Sequence, residues 1–159
     1  MIGAEKEARE FACLAHGDQT YGGQLYWVHL AAVRNVLVDF GFAGSILIAA
    51  WLHDTLEDTK TSLDDLSKVF GPDVLAYVWA VTGVGKNRKE RNQHVYKKLH
   101  ANVLAVPLKL ADRIANVEAS KNDPRKLAMY RSEHPGFREA LGEFGPPAMW
   151  ERLENALNG

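Results

Sequence analysis

Four side chains that could bind a cation or transfer a proton occur in the segment HDTLEDT, directly after the apolar run SILIAAWL. They are His53, Asp54, Glu57 and Asp58. At the C-terminus of a buried helix, a carboxylate is disfavoured by the helix dipole and by the loss of water, so it needs a compensating cation. No lysine or arginine lies between Arg34 and Lys60. A metal ion is therefore a better local candidate than an ion pair, although a distant arginine could serve.

Two further apolar segments contain polar side chains on faces that should point into the core. In VLAVPLKLADRIANV, Asp112 interrupts the apolar face and Asn116 follows one helical turn later. In LYWVHLAAV, His29 is flanked by apolar residues on both sides. Taken singly, such a histidine is usually a hydrogen-bonded core residue, and Asp112 beside Arg113 is equally consistent with an ordinary ion pair.

The four side chains that these apolar segments contribute form a mixed nitrogen and oxygen ligand set: His29, His53, Asp54 and Asp112. Imidazole and carboxylate together suit a divalent first-row metal with positions left open for water. The set contains no thiolate, which argues against a structural zinc site. The sequence therefore predicts a divalent metal centre held by three helices.

The elements that must position these residues are predicted to be helices. Apolar residues recur at three- and four-residue spacing almost throughout, and no alternating strand-like run flanked by hairpin turns is found, so we expect an all-α fold. Ser62 or Thr61 is a candidate N-cap, and Gly71-Pro72 restarts a helix. The predicted helices cover about residues 4–16, 26–40, 45–53, 63–70, 72–81, 88–102 and 106–119, with two more after Pro124 and Pro147.

Length and composition exclude several classes of protein. With 159 residues we expect one domain, residues 1–159. The balance of 19 basic and 20 acidic residues argues against a broad nucleic-acid-binding surface. A single cysteine, Cys13, excludes a disulfide framework. No segment approaches a membrane span and the first ten residues lack the apolar core of a secretory signal, so we expect a cytoplasmic protein without a membrane partner.

The order and spacing of these motifs resemble the HD-domain phosphohydrolases, and among them the hydrolase domains of RelA/SpoT homologues and the small alarmone hydrolases. The combination of HDxxEDT with a later KLADRxxN is specific, whereas a His-Asp dipeptide alone is weak. The matching blocks are Ala15-His16 with Gln19, GQLYWVH at 23–29, HDTLEDT at 53–59, and LKLADR at 108–113 with Asn116.

The resemblance implies a compact multi-helix HD-domain fold with a central site for one divalent ion, most often Mn²⁺, bound by His29, His53, Asp54 and Asp112. It also implies that Glu57 and Asp58 act as acid-base groups beside a metal-activated water. Helical spacing agrees with this division, because Glu57 follows His53 and Asp58 follows Asp54 by one turn. The implied reaction is hydrolysis of the 3′-pyrophosphate of the nucleotides (p)ppGpp or (p)ppApp.

The loop before His29 departs from the family pattern GQxxKxGxPYxxHP. It is one residue shorter and has Gly22 near the lysine position. The basic run GKNRKERNQHVYKK could supply the missing charge to a polyanionic nucleotide, although such runs are usually solvated helix faces. Tyr21 and Gln24 are better explained as a solvated loop than as base contacts. The candidate substrate contacts are Asn116, Tyr130, Lys86 and Arg88.

Two rival functions follow from the same residues. A phosphohydrolase acting on another nucleotide, a mono- or triphosphate, would keep the metal chemistry and is favoured by the missing basic residues in the loop. A non-catalytic nucleotide-binding module is disfavoured because all six candidate metal-binding and acid-base residues are present.

Overall fold

The computed structural model of the protein describes residues 3–159 and is predominantly helical. The α-helices are α1 (Gly3–His16), α2 (Trp27–Asp39), α3 (Ser45–Leu52), α4 (Thr55–Asp58), α5 (Leu63–Val81), α6 (Arg88–Ala101), α7 (Val106–Ala119), α8 (Pro124–Leu141) and α9 (Pro147–Asn158). A short 3₁₀ helix, Val103–Ala105, precedes α7. The all-α prediction is confirmed, and none of these helices is long and apolar enough to cross a membrane.

One small sheet was not predicted. Strands β1 (Thr20–Tyr21) and β2 (Gln24–Leu25) form an antiparallel hairpin in which Thr20 pairs with Leu25 and Tyr21 with Gln24. The two turn residues, Gly22 and Gly23, have φ values of 58° and 83°. A two-residue hairpin turn with positive φ at both positions favours glycine, which has no Cβ. Strands of two residues are too short to give an alternating pattern, so hydrophobic periodicity missed them.

The predicted break at Gly71-Pro72 is a kink within α5. Gly71 has φ 82° and ψ 177°, so the backbone leaves the helical conformation there and resumes it at Pro72. At the start of α5, the Ser62 hydroxyl accepts a hydrogen bond from the Asp65 N–H and the Asp65 carboxylate accepts one from the Ser62 N–H. This reciprocal capping box satisfies two amides that have no partner within the helix.

Helix α3 lies in the centre of the fold. It is apolar on all sides, and all of its residues from Ile46 to Leu52 except Ile48 are buried. A helix of this composition must be surrounded, and α1, α2 and α5 pack against it. Helix α2 packs in turn against α7. Each buried leucine in these contacts stabilises the fold by about 1.5–3 kcal/mol, so the C-terminus of α3 is held rigidly against α2 and α7.

Candidate metal centre and the surrounding cleft

Four polar side chains meet where the C-terminus of α3 approaches α2 and α7. They are His29, His53, Asp54 and Asp112, and one ligand atom from each lies within 4.8 Å of the others. His53 Nε2 is 3.1 Å from Asp54 Oδ2 and 3.2 Å from Asp112 Oδ1. His29 Nε2 is 3.1 Å from Asp112 Oδ1 and 3.5 Å from Asp54 Oδ2. The structure thus brings together the side chains that the sequence singled out, and their role as ligands stays a prediction.

The orientation of His53 fits a cation. Its Nδ1 lies 2.7 Å from the carbonyl oxygen of Ala50, an acceptor, so Nδ1 has the proton and donates. In neutral imidazole, Nε2 is then an unprotonated nitrogen directed at two carboxylate oxygens. A hydrogen bond from the second ring nitrogen to a backbone carbonyl is the arrangement that orients metal-binding histidines in other proteins. A divalent ion between the four atoms would satisfy both imidazoles and both carboxylates.

The electrostatics of the cluster lead to the same requirement for positive charge. Burial would lower the pKa of His29, but hydrogen bonds and charge from Asp112 and Asp54 raise it to about 8. Burial would raise the pKa of Asp54, but the neighbouring His53 and His29 hold it well below its usual range. The carboxylates therefore stay ionised in a buried site, as metal ligands must.

Part of the negative charge of the Asp112 carboxylate is compensated by side chains of α7 itself. Lys109 Nζ lies 3.2 Å from Asp112 Oδ2, and the Asn116 side-chain amide donates to Asp112 Oδ1 at 3.1 Å. The ion pair between Asp112 and Arg113 that the sequence left open is not formed, because Arg113 pairs with Glu133 on α8 at 3.0 Å. The spacing of Lys109 and Asp112, three residues apart on one helix, is the signal that could have identified Lys109.

Glu57 and Asp58 lie on the wall of the same cleft. The two pairs of side chains are not on one helix, since α3 ends at Leu52, close to the predicted end at residue 53, and the four-residue α4 begins at Thr55. His53 and Asp54 nevertheless keep right-handed helical dihedrals, and the Asp58 N–H donates to the Asp54 carbonyl at 3.0 Å. The one-turn relation between the two pairs of side chains is therefore preserved.

Both of these carboxyl groups bind protons more readily than a free carboxyl. Burial raises the pKa of Glu57, and the Gly83 N–H, which donates to Glu57 Oε1, opposes that increase. Burial and the negative charge of Asp54 raise the pKa of Asp58. Carboxyl groups with raised pKa values in a cleft are candidates for acid-base roles.

Tyr26 links Asp58 to the cluster of His29, His53, Asp54 and Asp112, and the sequence analysis did not assign it a role. Its hydroxyl lies 2.8 Å from Asp54 Oδ2 and 3.1 Å from Asp58 Oδ2. The ring stacks on His16 with 4.4 Å between centroids and 15° between planes. His16 Nδ1 is in turn 2.9 Å from Gln19 Oε1. These contacts give a structural role to His16 and Gln19, which belong to the first of the matching blocks.

The cleft has a volume of about 220 Å³, and its far wall is cationic. Three of the predicted substrate contacts, Asn116, Tyr130 and Arg88, line it, and Lys86 lies outside the lining. Arg88 is fixed by Glu133, with 2.6 Å between Nε and Oε2 and 3.0 Å between Nη2 and Oε1. Tyr130 is 7% exposed, so it belongs to the core as well as to the cleft wall.

The hairpin contributes one side chain to this cleft. The Tyr21 hydroxyl donates to Asn116 Oδ1, and its ring lies 4.9 Å from that of His29. The expectation of a solvated loop was wrong for Tyr21, because the short hairpin turns its side chain inward. It was right for Gln24, which is exposed. Arg91 and Asn92 on α6 also line the cleft and were not among the predicted contacts.

A comparison with protein families gives a match over most of the chain. The model of the HD domain family matches residues 8–134. The chain belongs to the HD-domain family. This confirms the resemblance stated from the HDTLEDT and KLADR segments, and it places α1 to α8 largely within the family match. The segment after residue 134, which includes α9, lies beyond it.

Curated relatives of this HD-domain chain are much longer proteins. A guanosine-3′,5′-bis(diphosphate) 3′-pyrophosphohydrolase from Aquifex aeolicus is 38% identical over 119 residues, which are 71% of this chain and 17% of the relative. A GTP pyrophosphokinase from Streptomyces coelicolor is 32% identical over 138 residues, 83% of this chain and 16% of the relative. The chain therefore spans about one sixth of the length of these relatives.

A solved structure agrees with the HD-domain fold over nearly the whole chain. It is described as a metazoan orthologue of SpoT that hydrolyses ppGpp and plays a role in starvation responses. The TM-score is 0.80, and the alignment covers 99% of this chain and 96% of the other at 23% sequence identity. At this level of identity the likeness concerns the fold.

Proposed function

We propose that this chain is a metal-dependent phosphohydrolase that removes the 3′-pyrophosphate of (p)ppGpp or (p)ppApp, with Mn²⁺ at the centre formed by His29, His53, Asp54 and Asp112. The observation that supports this most directly is that one cleft contains the four candidate ligands, two carboxyl groups with raised pKa values and three arginines. The named activity of the Aquifex aeolicus relative supplies the substrate class.

In this proposal each wall of the cleft has a separate task. A divalent ion, when bound, would act as a Lewis acid that lowers the pKa of water and neutralises negative charge on phosphoryl oxygens. Glu57 and Asp58 hold and return the proton that moves between the water and the leaving oxygen. Arg88 and Arg91 face the cleft and attract the phosphate groups. Tyr26 keeps Asp58 in a fixed position relative to Asp54.

A second candidate, hydrolysis of another nucleotide mono- or triphosphate, is favoured by the hairpin. Its turn consists of Gly22 and Gly23, so it presents no cationic side chain where the alarmone hydrolases have a lysine. The positive charge of the cleft comes from α6 and α7, which contribute two cationic side chains each. A substrate that binds there need not have phosphates at both the 3′ and the 5′ position.

The two candidates are separated by their products. We expect the manganese-loaded chain to convert ppGpp into GDP and pyrophosphate, and ppApp into ADP and pyrophosphate. Deoxynucleoside mono- and triphosphates should be left intact under the same conditions. The products are resolved by anion-exchange chromatography, with a chelated sample as control. Turnover of the deoxynucleotides alone would favour the second candidate, and the absence of turnover of every nucleotide would refute both.

The contribution of the α6 arginines can be tested by reversing one charge. Arg91 lines the cleft, whereas Lys89 on the same helix lies outside the lining. We expect Arg91→Glu to raise KM for ppGpp about three- to tenfold, because exposed ion pairs contribute about 0.2–1 kcal/mol and reversal replaces attraction by repulsion. Lys89→Glu makes the same change in net charge and should leave KM near the wild-type value.

Steady-state kinetics at two ionic strengths complete this comparison. Added salt should raise KM for ppGpp more in the wild type than in Arg91→Glu. The wild type depends more on electrostatic attraction, which salt screens over about 8 Å at physiological ionic strength. Equal KM values for the two variants would show that the basic run is a solvated helix face.

A further inference from the structure

One lysine of the basic run on α6, Lys98, does not line the cleft and instead contacts the end of α5. The Lys98 ammonium donates to the carbonyl oxygens of Trp79 and Thr82, and it lies 3.7 Å from the centroid of a Trp79 ring. The Trp79 carbonyl lies in the last turn of α5 and also accepts the Thr82 N–H at 3.1 Å, and Thr82 is the residue that caps the C-terminus of the helix. A cation at this position also complements the negative end of the helix dipole.

The Thr82 carbonyl and the Gly83 N–H belong to the same peptide group. This peptide is trans, so its C=O and N–H point in opposite directions within one plane. Lys98 binds the carbonyl on one side, and the amide on the other side donates to Glu57 Oε1. Fixing the carbonyl therefore fixes the direction of the N–H that holds Glu57.

The segment that follows α5, Thr82–Gly83, also packs closely against α6 at Gly83. A Cβ atom on this residue would lie 2.9 Å from Arg91 Cβ and 3.0 Å from the Arg91 carbonyl oxygen. Such distances leave no space for a side chain, so this segment depends on glycine at position 83. The Thr82–Gly83 peptide is thus held by a hydrogen bond from one residue of α6 and by close packing on another.

We propose that Lys98 is a positioning residue for Glu57, acting through the Thr82–Gly83 peptide. This inference rests on the proposed function in assigning proton transfer to Glu57. It separates Lys98 from the residues of the same run that face the phosphates, because Lys98 does not line the cleft. Lys97, its neighbour, is exposed and provides a matched control.

The kinetic test compares Lys98→Met and Lys98→Gln with Lys97→Met at pH 7. We expect the two Lys98 variants to lower kcat about ten- to a hundredfold with KM and manganese occupancy unchanged, because displacing a catalytic group by about 1 Å costs on the order of 10² in rate. Lys98→Arg, which keeps a cationic donor, should recover most of the rate. Lys97→Met should match the wild type.

A double-mutant cycle distinguishes positioning from general support of the fold. In the Glu57→Gln background, Lys98→Met should cause little further loss of kcat, because the group that it positions no longer transfers a proton. A loss by the same factor in both backgrounds would overturn the proposal.

Hydrogen exchange of the Gly83 amide tests the inference without any substrate. We expect faster exchange in Lys98→Met than in Lys97→Met, measured by NMR on folded samples of equal melting temperature. Unchanged exchange at Gly83 would refute the role of Lys98. Absence of nucleotide turnover in the wild type would instead refute the proposed function, and the exchange experiment would still decide the structural part.

Discussion

Replacing His53 with alanine is expected to abolish stoichiometric binding of manganese and to reduce hydrolysis to the background rate. His53 Nε2 lies 3.1 Å and 3.2 Å from oxygens of the two carboxylates of the cluster. Without it, Asp54 and Asp112 would face each other with one imidazole fewer to bind the ion between them. Metal content is measured by mass spectrometry after manganese loading and gel filtration.

The same variant should lose the stabilisation that the metal gives. An ion at about a hundred times its dissociation constant adds about 2.7 kcal/mol to the free energy of unfolding, which raises the melting temperature of a chain of this size by about 5–10 °C. His100→Ala, which changes an exposed histidine bonded to the Ala140 carbonyl, should keep the full shift. Unchanged manganese binding in His53→Ala would contradict the assignment of the centre.

Glu57→Gln and Asp58→Asn are expected to keep the metal and lose most of the turnover. Each substitution preserves the shape of the side chain and removes its ability to accept a proton. General acid-base groups contribute about a hundred- to ten-thousand-fold to the rate, so the loss of kcat should be of that order. Manganese content and kcat are measured on the same preparations, so that a loss of metal is not mistaken for a loss of proton transfer.

Asp64→Asn provides a control for these two variants. Asp64 is an exposed carboxylate on α5 that pairs with Lys68 at 2.8 Å, outside the cleft. Its replacement makes the same chemical change and should leave kcat unaltered. Rates near the wild-type value in both Glu57→Gln and Asp58→Asn would remove these side chains from the mechanism.

The cluster could be anticipated from the sequence because its members interrupt apolar helices. His29, Asp54 and Asp112 are unusual where they occur, since a polar group in a core-facing position must be satisfied by a partner. The helix boundaries followed from caps, glycines and prolines, which act locally. Convergence of the three helices was inferred from the need for a shared partner, and packing of α2 on α3 and α7 brings it about.

Residues whose roles depend on tertiary contacts could not be found in the same way. A tyrosine at position 26 is ordinary at the start of an amphipathic helix, and its hydroxyl meets Asp54 and Asp58 only after α3 and α4 have packed. Gly83 is one of several glycines in a loop, and its need for a bare Cα depends on the approach of α6.

The basic run on α6 shows the same limit. From the sequence, its six cationic residues could be interpreted only as a group, either as a source of charge for the nucleotide or as a solvated helix face. The structure divides them by position along the helix: Arg88 and Arg91, at its N-terminal end, line the cleft, while Lys98, two turns after Arg91, binds the end of α5. Only the packing of α6 against α5 and α8 gives these positions different neighbours.

The hairpin turn at Gly22 affects how easily mutation could restore the lysine found near this position in alarmone hydrolases. A Cβ atom at residue 22 would meet no atom within 4 Å, so there is space for a side chain to begin there. The backbone conformation disfavours a lysine, because φ of Gly22 is 58° and this left-handed conformation costs an L residue about 1–2 kcal/mol. Gly22→Lys alone would therefore add charge to a strained turn. Matching the family pattern requires an inserted residue as well, so the substitution alone does not reproduce the lysine-bearing loop.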